Sequence, residues 1–126
     1  STLMRSSAAS DVYKRQIFNT LIGIHIPRSC KIGGGLRIYH YGCIIVNPDT
    51  VMGYGCTLRQ GVTIGTKCFD HDVPVIGNNV EFGAGCKVLG DIVIGNNVVI
   101  GANAVVLCDV PDNAIAVGVP ARVIKK

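Results

Sequence analysis

The sequence predicts an all-β fold in which short parallel strands wind into a β-helix of hexapeptide repeats. An aliphatic or aromatic residue recurs every six positions from Val46 to Ile64 and, across a loop, from Ile76 to Val106. A second small or branched apolar residue follows four positions later. Gly or Asn often lies between them, and both tolerate the left-handed backbone of a sharp corner. No helical pattern accompanies this period, which indicates stacked coils.

Two positions of each hexapeptide are predicted to face inward and to form one continuous core column. The first set is Val46, Met52, Leu58, Ile64, Ile76, Phe82, Val88, Ile94, Ile100 and Val106. The second set is Thr50, Cys56, Val62, Val80, Cys86, Ile92, Val98, Ala104 and Val110. An antiparallel sandwich would repeat every 8 to 12 residues or so, which disfavours it here. The period alone leaves the hand of the helix open.

Composition fits one small domain and gives little support to a polyanionic partner. The chain has 126 residues, of which 48% are hydrophobic and 16% are charged, with 16 Gly and no Trp. The formal charge of +4 arises at the two ends, because residues 17–121 contain 6 basic and 7 acidic side chains. Nucleic acid is therefore not an expected partner. No apolar run approaches the roughly 18 to 20 residues of a membrane span.

Three of the six cysteines are predicted to be structural, and the pattern assigns no role to Cys43, Cys68 and Cys108. Cys30, Cys56 and Cys86 each follow an aliphatic or aromatic repeat residue by four positions, in the small inward position where a free thiol packs as a compact apolar group. The sequence has no CxxC motif and no zinc-ligand spacing, so no metal site is expected. Free thiols favour a reducing, cytoplasmic location.

Two segments depart from the repeat without interrupting its phase. Residues 1–16 are polar and contain no hexapeptide, so they are predicted to be a tail, disordered or non-native. Residues 17–126 then form the β-helix domain. The loop 66–74 is predicted to project from the column, because Ile64 and Ile76 on either side of it are twelve residues apart.

A third departure changes the phase and surrounds His40. Ile38 and Ile44 keep one frame, whereas Val46 begins the frame used afterwards, so two extra residues must be accommodated near His40. A bulge of this kind turns a side chain outward. Histidine suits general-base chemistry because its unperturbed pKa lies near neutrality. The pattern alone leaves open a surface or structural role for His40, and His25 and His71 show no comparable signal.

Five motifs in order resemble the serine acetyltransferase group of hexapeptide-repeat acyltransferases. They are IGGGLRIYHYGCIIVNP, GVTIG, FGAGCKVLG, IGANAVV and GVPARVI, and the resemblance covers residues 23–126. It implies a left-handed β-helix of triangular section and a homotrimer with active sites between subunits. It also implies acetyl-coenzyme A (acetyl-CoA) as the donor of an acetyl group to an acceptor hydroxyl, that of L-serine by the family name.

The resemblance also assigns roles to individual residues. His40 falls on the catalytic histidine, and Gly65, Ala84 and Ala102 fall on small residues along the pantetheine groove. The adenine end of the coenzyme would lie near Gly118 to Arg122. The cations placed to pair with its phosphates are Arg122, Lys125 and Lys126.

Three departures from the family concern the acceptor and the orientation of the histidine. The aspartate that the family places fifteen residues before its histidine is His25 here, so His40 would be oriented by a backbone carbonyl or a neighbouring carboxylate. The candidate carboxylates are Asp49, Asp70 and Asp72. At the acceptor positions, Tyr39 replaces an acidic residue, and Asp72 and Val73 replace the Arg-His pair before Pro74.

Three alternatives to a serine acetyltransferase-type enzyme stay open at this point. The altered acceptor positions suggest a sugar or polysaccharide O-acetyltransferase. A catalytically silent solenoid is the alternative from a different class, and a His40 buried in its own coil would contradict the enzyme and favour this alternative. A γ-class carbonic anhydrase would require several histidines at metal spacing, and the chain has 3 histidines.

Overall fold

The computed structural model describes residues 23–40, 42–67 and 72–125, which form fifteen short strands. The strands are β1 (Ile24–His25), β2 (Lys31–Ile32), β3 (Arg37–Ile38), β4 (Ile44–Val46), β5 (Val51–Met52), β6 (Thr57–Leu58), β7 (Thr63–Gly65), β8 (Val75–Ile76), β9 (Glu81–Phe82), β10 (Lys87–Leu89), β11 (Val93–Ile94), β12 (Val99–Ile100), β13 (Val105–Val106), β14 (Ala114–Val117) and β15 (Arg122–Lys125). These described residues contain no helix, as the all-β prediction requires.

Three sheets form the sides of the column. Sheet 1 contains β1, β4, β7, β10 and β13, and sheet 2 contains β2, β5, β8 and β11. Sheet 3 contains β3, β6, β9, β12, β14 and β15. All strand pairs are parallel except β14 with β15. Because β1 to β12 visit sheets 1, 2 and 3 in turn, the predicted parallel β-helix is confirmed.

The core column contains the two inward sets that the period predicts. Every residue of both sets is buried, and the largest fully buried side chains include Phe82, Leu58 and Ile64. Each fully buried Val, Leu, Ile or Phe contributes about 1.5 to 3 kcal/mol relative to an exposed one. Ile44 differs from its predicted frame. It aligns with Val62 of the next coil and so occupies the second inward position.

The coils differ in length, and the first long one contains His40. Ile24 pairs with Ile44 and Arg37 pairs with Thr57, so this coil has 20 residues. The regular coils that follow have 18, as in the pair Val75 with Val93. The two extra residues lie between Ile38 and Val46, where the sequence predicts them.

The coil that contains the loop 66–74 has 24 residues, because Val51 pairs with Val75. Its extra residues lie between β7 and β8, as predicted. Residues 68–71 lie outside the described residues, and so do the tail 1–16 and residues 17–22. The predicted projection of the loop therefore stays a prediction, and the candidate carboxylate of Asp70 falls in the same segment.

A ladder of side-chain amides and carboxylates joins the coils at the corner between sheets 2 and 3. Asn78 Oδ1 accepts a hydrogen bond from the Tyr54 amide at 3.0 Å. Asn96 Oδ1 accepts one from the Asn78 amide at 2.8 Å, and Asp112 Oδ1 accepts one from the Asn96 amide at 2.7 Å. A Cβ on Gly77 would lie 2.9 Å from the backbone of the next coil. This close stacking explains the recurrent Gly-Asn pairs.

Cysteines occupy the inward positions predicted for them. Cys56 and Cys86 are buried, and Cys30 is half-buried against the core. Burial raises the pKa of the Cys86 thiol to about 12, and it also raises the pKa of Cys56 and of Cys30. The five described cysteines are free thiols. Since the thiolate is the nucleophile, buried thiols that stay protonated react slowly.

Thiol labelling should distinguish the core cysteines from the surface ones. In the native protein near neutral pH, a maleimide should modify the exposed Cys43 and Cys108 and leave Cys56 and Cys86 unmodified until denaturant is added. Peptide mapping by mass spectrometry would read each site separately. Native-state labelling of Cys86 at the rate of Cys108 would contradict the described core.

The described part of the column ends in the hairpin of β14 and β15, at the edge of sheet 3. The turn between them contains a cis peptide bond between Val119 and Pro120. The Ala121 amide donates to the Val105 carbonyl at 2.8 Å, which attaches this turn to sheet 1. Within the described ranges, no helix is long and apolar enough to cross a membrane.

Candidate active site

His40 lies in the corner between sheets 3 and 1, two residues after β3, and its side chain is exposed. This corner contains the two extra residues of the first coil. Gly42 and Cys43 have positive φ angles of 115° and 55°, and Gly42 O accepts a hydrogen bond from the Gly61 amide at 2.9 Å. The enlarged corner therefore presents His40 outward, as the frame change predicts. A His40 buried in its own coil, which would contradict the enzyme, is not observed.

A cleft of about 450 Å³ opens beside His40 on the outer face of sheet 3. Its lining residues are Arg37, Tyr39, His40, Gly55, Thr57, Arg59, Asn79 and Glu81. Arg37 pairs with Thr57, and Thr57 pairs with Glu81, so these positions form a row across three coils. The volume lies in the range of about 300 to 1,000 Å³ that is typical of small-molecule sites.

The charges in the cleft are arranged around Arg59. Its Nη2 lies 3.2 Å from Glu81 Oε1, and its Cζ lies 5.5 Å from the centre of the Tyr39 ring. A guanidinium over an aromatic face is attracted by the ring quadrupole. Arg37 instead donates from Nη2 to the Gly55 carbonyl at 3.3 Å. The Arg59 charge is therefore compensated by a carboxylate, whereas Arg37 contacts a neutral acceptor.

Three of the predicted coenzyme residues stack along the corner that contains His40. Ala84, Ala102 and Gly118 follow β9, β12 and β14 of sheet 3. The backbone connects them, because the Asn103 amide donates to Ala84 O at 2.8 Å and the Val105 amide donates to Gly118 O at 3.0 Å. His40 and these small residues thus follow one edge of the column.

Gly65 and Asp72 lie at a different corner, between sheets 1 and 2. Gly65 ends β7, and a Cβ added there would meet only Leu89 Cδ2, at 3.8 Å. Asp72 is half-buried in the loop before β8. A single chain therefore does not bring Gly65 together with Ala84, nor Asp72 together with Tyr39.

The candidate orienters of His40 are also distributed over the column. His25 is exposed on β1 of sheet 1, where it pairs with Ile45. Asp49 is exposed in the corner after β4, and its amide donates to the Asn47 side chain at 2.9 Å. No carboxylate of the described chain is within hydrogen-bond distance of the His40 ring.

The predicted phosphate-binding cations lie on the final strand. Arg122 and Lys125 are exposed on β15, where they pair with Val117 and Ala114 respectively. Arg122 directly follows the turn that begins at Gly118. Lys126 lies outside the described residues.

Sequence reasoning missed most of the cleft wall. Arg37, Arg59 and Glu81 come from three different coils. In the sequence they are isolated charged residues, and nothing indicates that they lie together. Their position within the hexapeptide is the signal that could have indicated this row. Arg37, Thr57 and Glu81 each directly precede an inward aliphatic or aromatic residue, and they align once the coil lengths of 20 and 24 residues are known.

Metal-ligating side chains do not cluster in the part of the chain that is described. Within those ranges, no group of three or more His, Cys, Asp or Glu side chains is placed to hold a metal ion. His25 and His40 lie on sheet 1 and at the end of sheet 3, respectively. The described residues give the carbonic anhydrase interpretation no support.

Comparison with protein families and curated proteins agrees with this architecture. The model of the bacterial transferase hexapeptide family, with its six repeats, matches residues 74–108. A protein of Escherichia coli assigned as a colanic acid biosynthesis acetyltransferase, WcaB, is 45% identical over 113 residues, which are 89% of this chain and 70% of that protein. The serine acetyltransferase of Synechococcus elongatus is 43% identical over 82% of this chain and 43% of its own length.

Solved structures give the same result. Serine acetyltransferase of Neisseria gonorrhoeae in complex with serine superimposes with a TM-score of 0.81 at 33% identity, covering 95% of this chain and 49% of that one. The Brucella abortus enzyme in complex with coenzyme A gives 0.74 at 36% identity, covering 78% of this chain and 40% of that one. The chain belongs to the hexapeptide-repeat acetyltransferases, as a left-handed β-helix of the serine acetyltransferase type. It spans less than half the length of these solved chains.

Proposed function

We propose that this chain transfers an acetyl group from acetyl-CoA to an acceptor hydroxyl, with His40 as the general base. The observation that carries the proposal is the exposed His40 at the edge of a polar cleft, in the one described corner between sheets 3 and 1 that contains two extra residues. The Escherichia coli relative at 45% identity is named as an acetyltransferase. Serine acetyltransferases at 33% and 36% identity are solved with serine and with coenzyme A, respectively.

The chemistry is direct transfer. His40 takes the proton of the acceptor hydroxyl while that oxygen attacks the thioester carbonyl, and backbone N–H groups stabilise the tetrahedral oxyanion. The C–S bond then breaks as the C–O double bond re-forms, and the imidazolium returns its proton to the coenzyme A sulfur. An exposed corner supports this role, because the ring must reach both the acceptor and the departing thiol.

The proposed coenzyme groove follows the edge marked by Ala84, Ala102 and Gly118. Small side chains at these positions leave room for the pantetheine arm beside the coils. Arg122, Lys125 and Lys126 at the end of the column would pair with the coenzyme phosphates. Exposed guanidinium and ammonium groups on β15 support this placement.

We also propose a homotrimer in the cytoplasm. The support is that Gly65 and Asp72 lie at a corner away from His40 in the same chain. If they take part in the site, a neighbouring subunit must bring its own Gly65 and Asp72 to the His40 cleft. In this arrangement, Asp49, Asp70 or Asp72 of the neighbour would orient the His40 ring. The free thiols of the described residues support the compartment.

L-serine is the first candidate acceptor, because most of the curated and solved relatives described above are serine acetyltransferases. A sugar hydroxyl is the second candidate, and two observations favour it. The colanic acid relative matches over 70% of its length. Tyr39 and Asp72 stand where the family carries the residues that hold the amino acid, so the serine clamp is altered.

Release of coenzyme A thiol from acetyl-CoA would test the proposal. The assay uses the full chain with L-serine, sugar nucleotides and oligosaccharides as separate acceptors, and mass spectrometry confirms the acetylated product. We expect acceptor-dependent release that saturates with acetyl-CoA. Release at the rate of spontaneous hydrolysis with every acceptor would contradict the proposed activity and favour the silent solenoid.

A further inference from the structure

We propose that Arg37 binds an oxyanion of the acceptor in the His40 cleft, so that the enzyme selects acceptors bearing a phosphate or a carboxylate. This inference rests on the proposed function, because it assigns the acceptor to that cleft. Arg37 is exposed on β3, three residues before His40, and both side chains line the same cleft.

The charges of the cleft favour an anionic ligand. Arg59 is paired with Glu81 at 3.2 Å, which cancels one positive charge in the cleft. Arg37 has no carboxylate within salt-bridge distance in the part of the chain that is described. The positive charge of Arg37 is therefore not compensated within the described cleft, and an anionic ligand could pair with it.

The Arg37 guanidinium has hydrogen-bond donors available for a ligand. A guanidinium has five N–H donors in a planar fork, and that of Arg37 uses one of them on the Gly55 carbonyl at 3.3 Å. This is the one hydrogen bond of this side chain among the described residues, so other N–H donors are available to a ligand. A phosphate or carboxylate accepts two parallel bonds from such a fork.

The other groups of the cleft wall are polar or aromatic. Thr57 lies under the cleft with 4% exposure, and Asn79 is exposed at its rim. The Tyr39 ring, which is 57% exposed, flanks the histidine. Hydroxyl, amide and aromatic groups suit the neutral part of a polar acceptor. Arg37 would then fix the charged end while His40 meets the hydroxyl.

Matched acceptor pairs would test this inference, because each pair differs in one oxyanion. The pairs are glucose 1-phosphate with glucose, glucuronic acid with glucose, and L-serine with L-serinamide. For at least one pair, the wild type should prefer the charged member in kcat/KM. In Arg37→Gln that preference should fall about 10- to 100-fold, the usual effect of losing a charge-assisted hydrogen bond.

Two control variants separate this role from general charge or folding effects. Lys31→Gln removes one positive charge from exposed Lys31 of sheet 2 and should leave the preference unchanged. Arg37→Lys keeps the charge without the fork and should retain part of the preference. All three variants should match the wild type in circular dichroism and thermal midpoint.

The outcomes distinguish this inference from the proposed activity. A preference that depends on Arg37 for the phosphate pair or for a carboxylate pair would identify the oxyanion. Transfer that needs His40 but shows no charged preference, or one unaffected by Arg37→Gln, would overturn the inference alone. If no acceptor turns over, the proposed function fails. Calorimetric binding of the same compounds to protein saturated with coenzyme A then decides, and equal affinity of Arg37→Gln and wild type would overturn the inference.

Discussion

Replacing His40 with alanine should lower the rate of acetyl transfer by about 10² to 10⁴-fold, the range expected for loss of a general base. The effect should appear in kcat rather than in the affinity for acetyl-CoA, because the proposed coenzyme groove follows Ala84, Ala102 and Gly118. The measurement is thiol release under saturating acetyl-CoA with the best acceptor found for the wild type.

The fold should tolerate the His40 change, since the side chain is exposed and lies outside the core. A thermal midpoint within about 2 °C of the wild type would show this, as surface substitutions usually change stability by less than about 0.5 kcal/mol. Lys31→Ala provides a control at an exposed residue of sheet 2, outside the cleft. An unchanged transfer rate in His40→Ala would remove the general-base assignment.

Inserting one alanine between Asn96 and Asn97 should unfold the carboxyl-terminal coils. The insertion displaces Asn97, which adopts a φ of 58° in the corner, and it shifts Val98 and Ile100 away from their inward positions. Asn96 is already bonded to the coils on both sides, so this corner has no room for a bulge. We expect a loss above about 4 kcal/mol, which is exceptional for one change.

A second insertion serves as the control for the first. One alanine placed between Thr66 and Lys67 enlarges a corner that is already six residues longer than a regular one, and loop insertions cost little. Circular dichroism melting and size-exclusion chromatography would compare the two proteins. Equal stability of both insertions, with an unchanged assembly, would contradict the register described for sheets 1 to 3.

The core of this fold could be predicted from sequence because its signal is repeated. Two residues in every six must fill the column, so each coil confirms the frame of the others, and even the two extra residues near His40 are visible as a change of phase. Ile44 shows the limit. The sequence placed it in the earlier frame because the position of the extra residues within the corner depends on backbone geometry at Gly42 and Cys43.

The site was predictable only in part. His40 was marked by the changed phase and by the resemblance to a family. Arg59 and Glu81, which are 22 residues apart in the chain, meet only because two coils stack in a particular register. Outward positions carry no period, since solvent accepts almost any polar side chain there. The sequence does not predict β15 either, because this strand is antiparallel to β14 and lies outside the repeat.

β15 changes the edge that sheet 3 presents at the carboxyl end of the column. A parallel solenoid ends in exposed backbone groups that could template another chain, and repeated addition would build a fibre. Here β15 runs opposite to β14 and occupies the hydrogen-bonding edge of sheet 3 at the carboxyl end. A second column cannot continue that side in parallel register. The hairpin therefore replaces a parallel edge of sheet 3 by an antiparallel one, which disfavours end-to-end stacking of columns on this side.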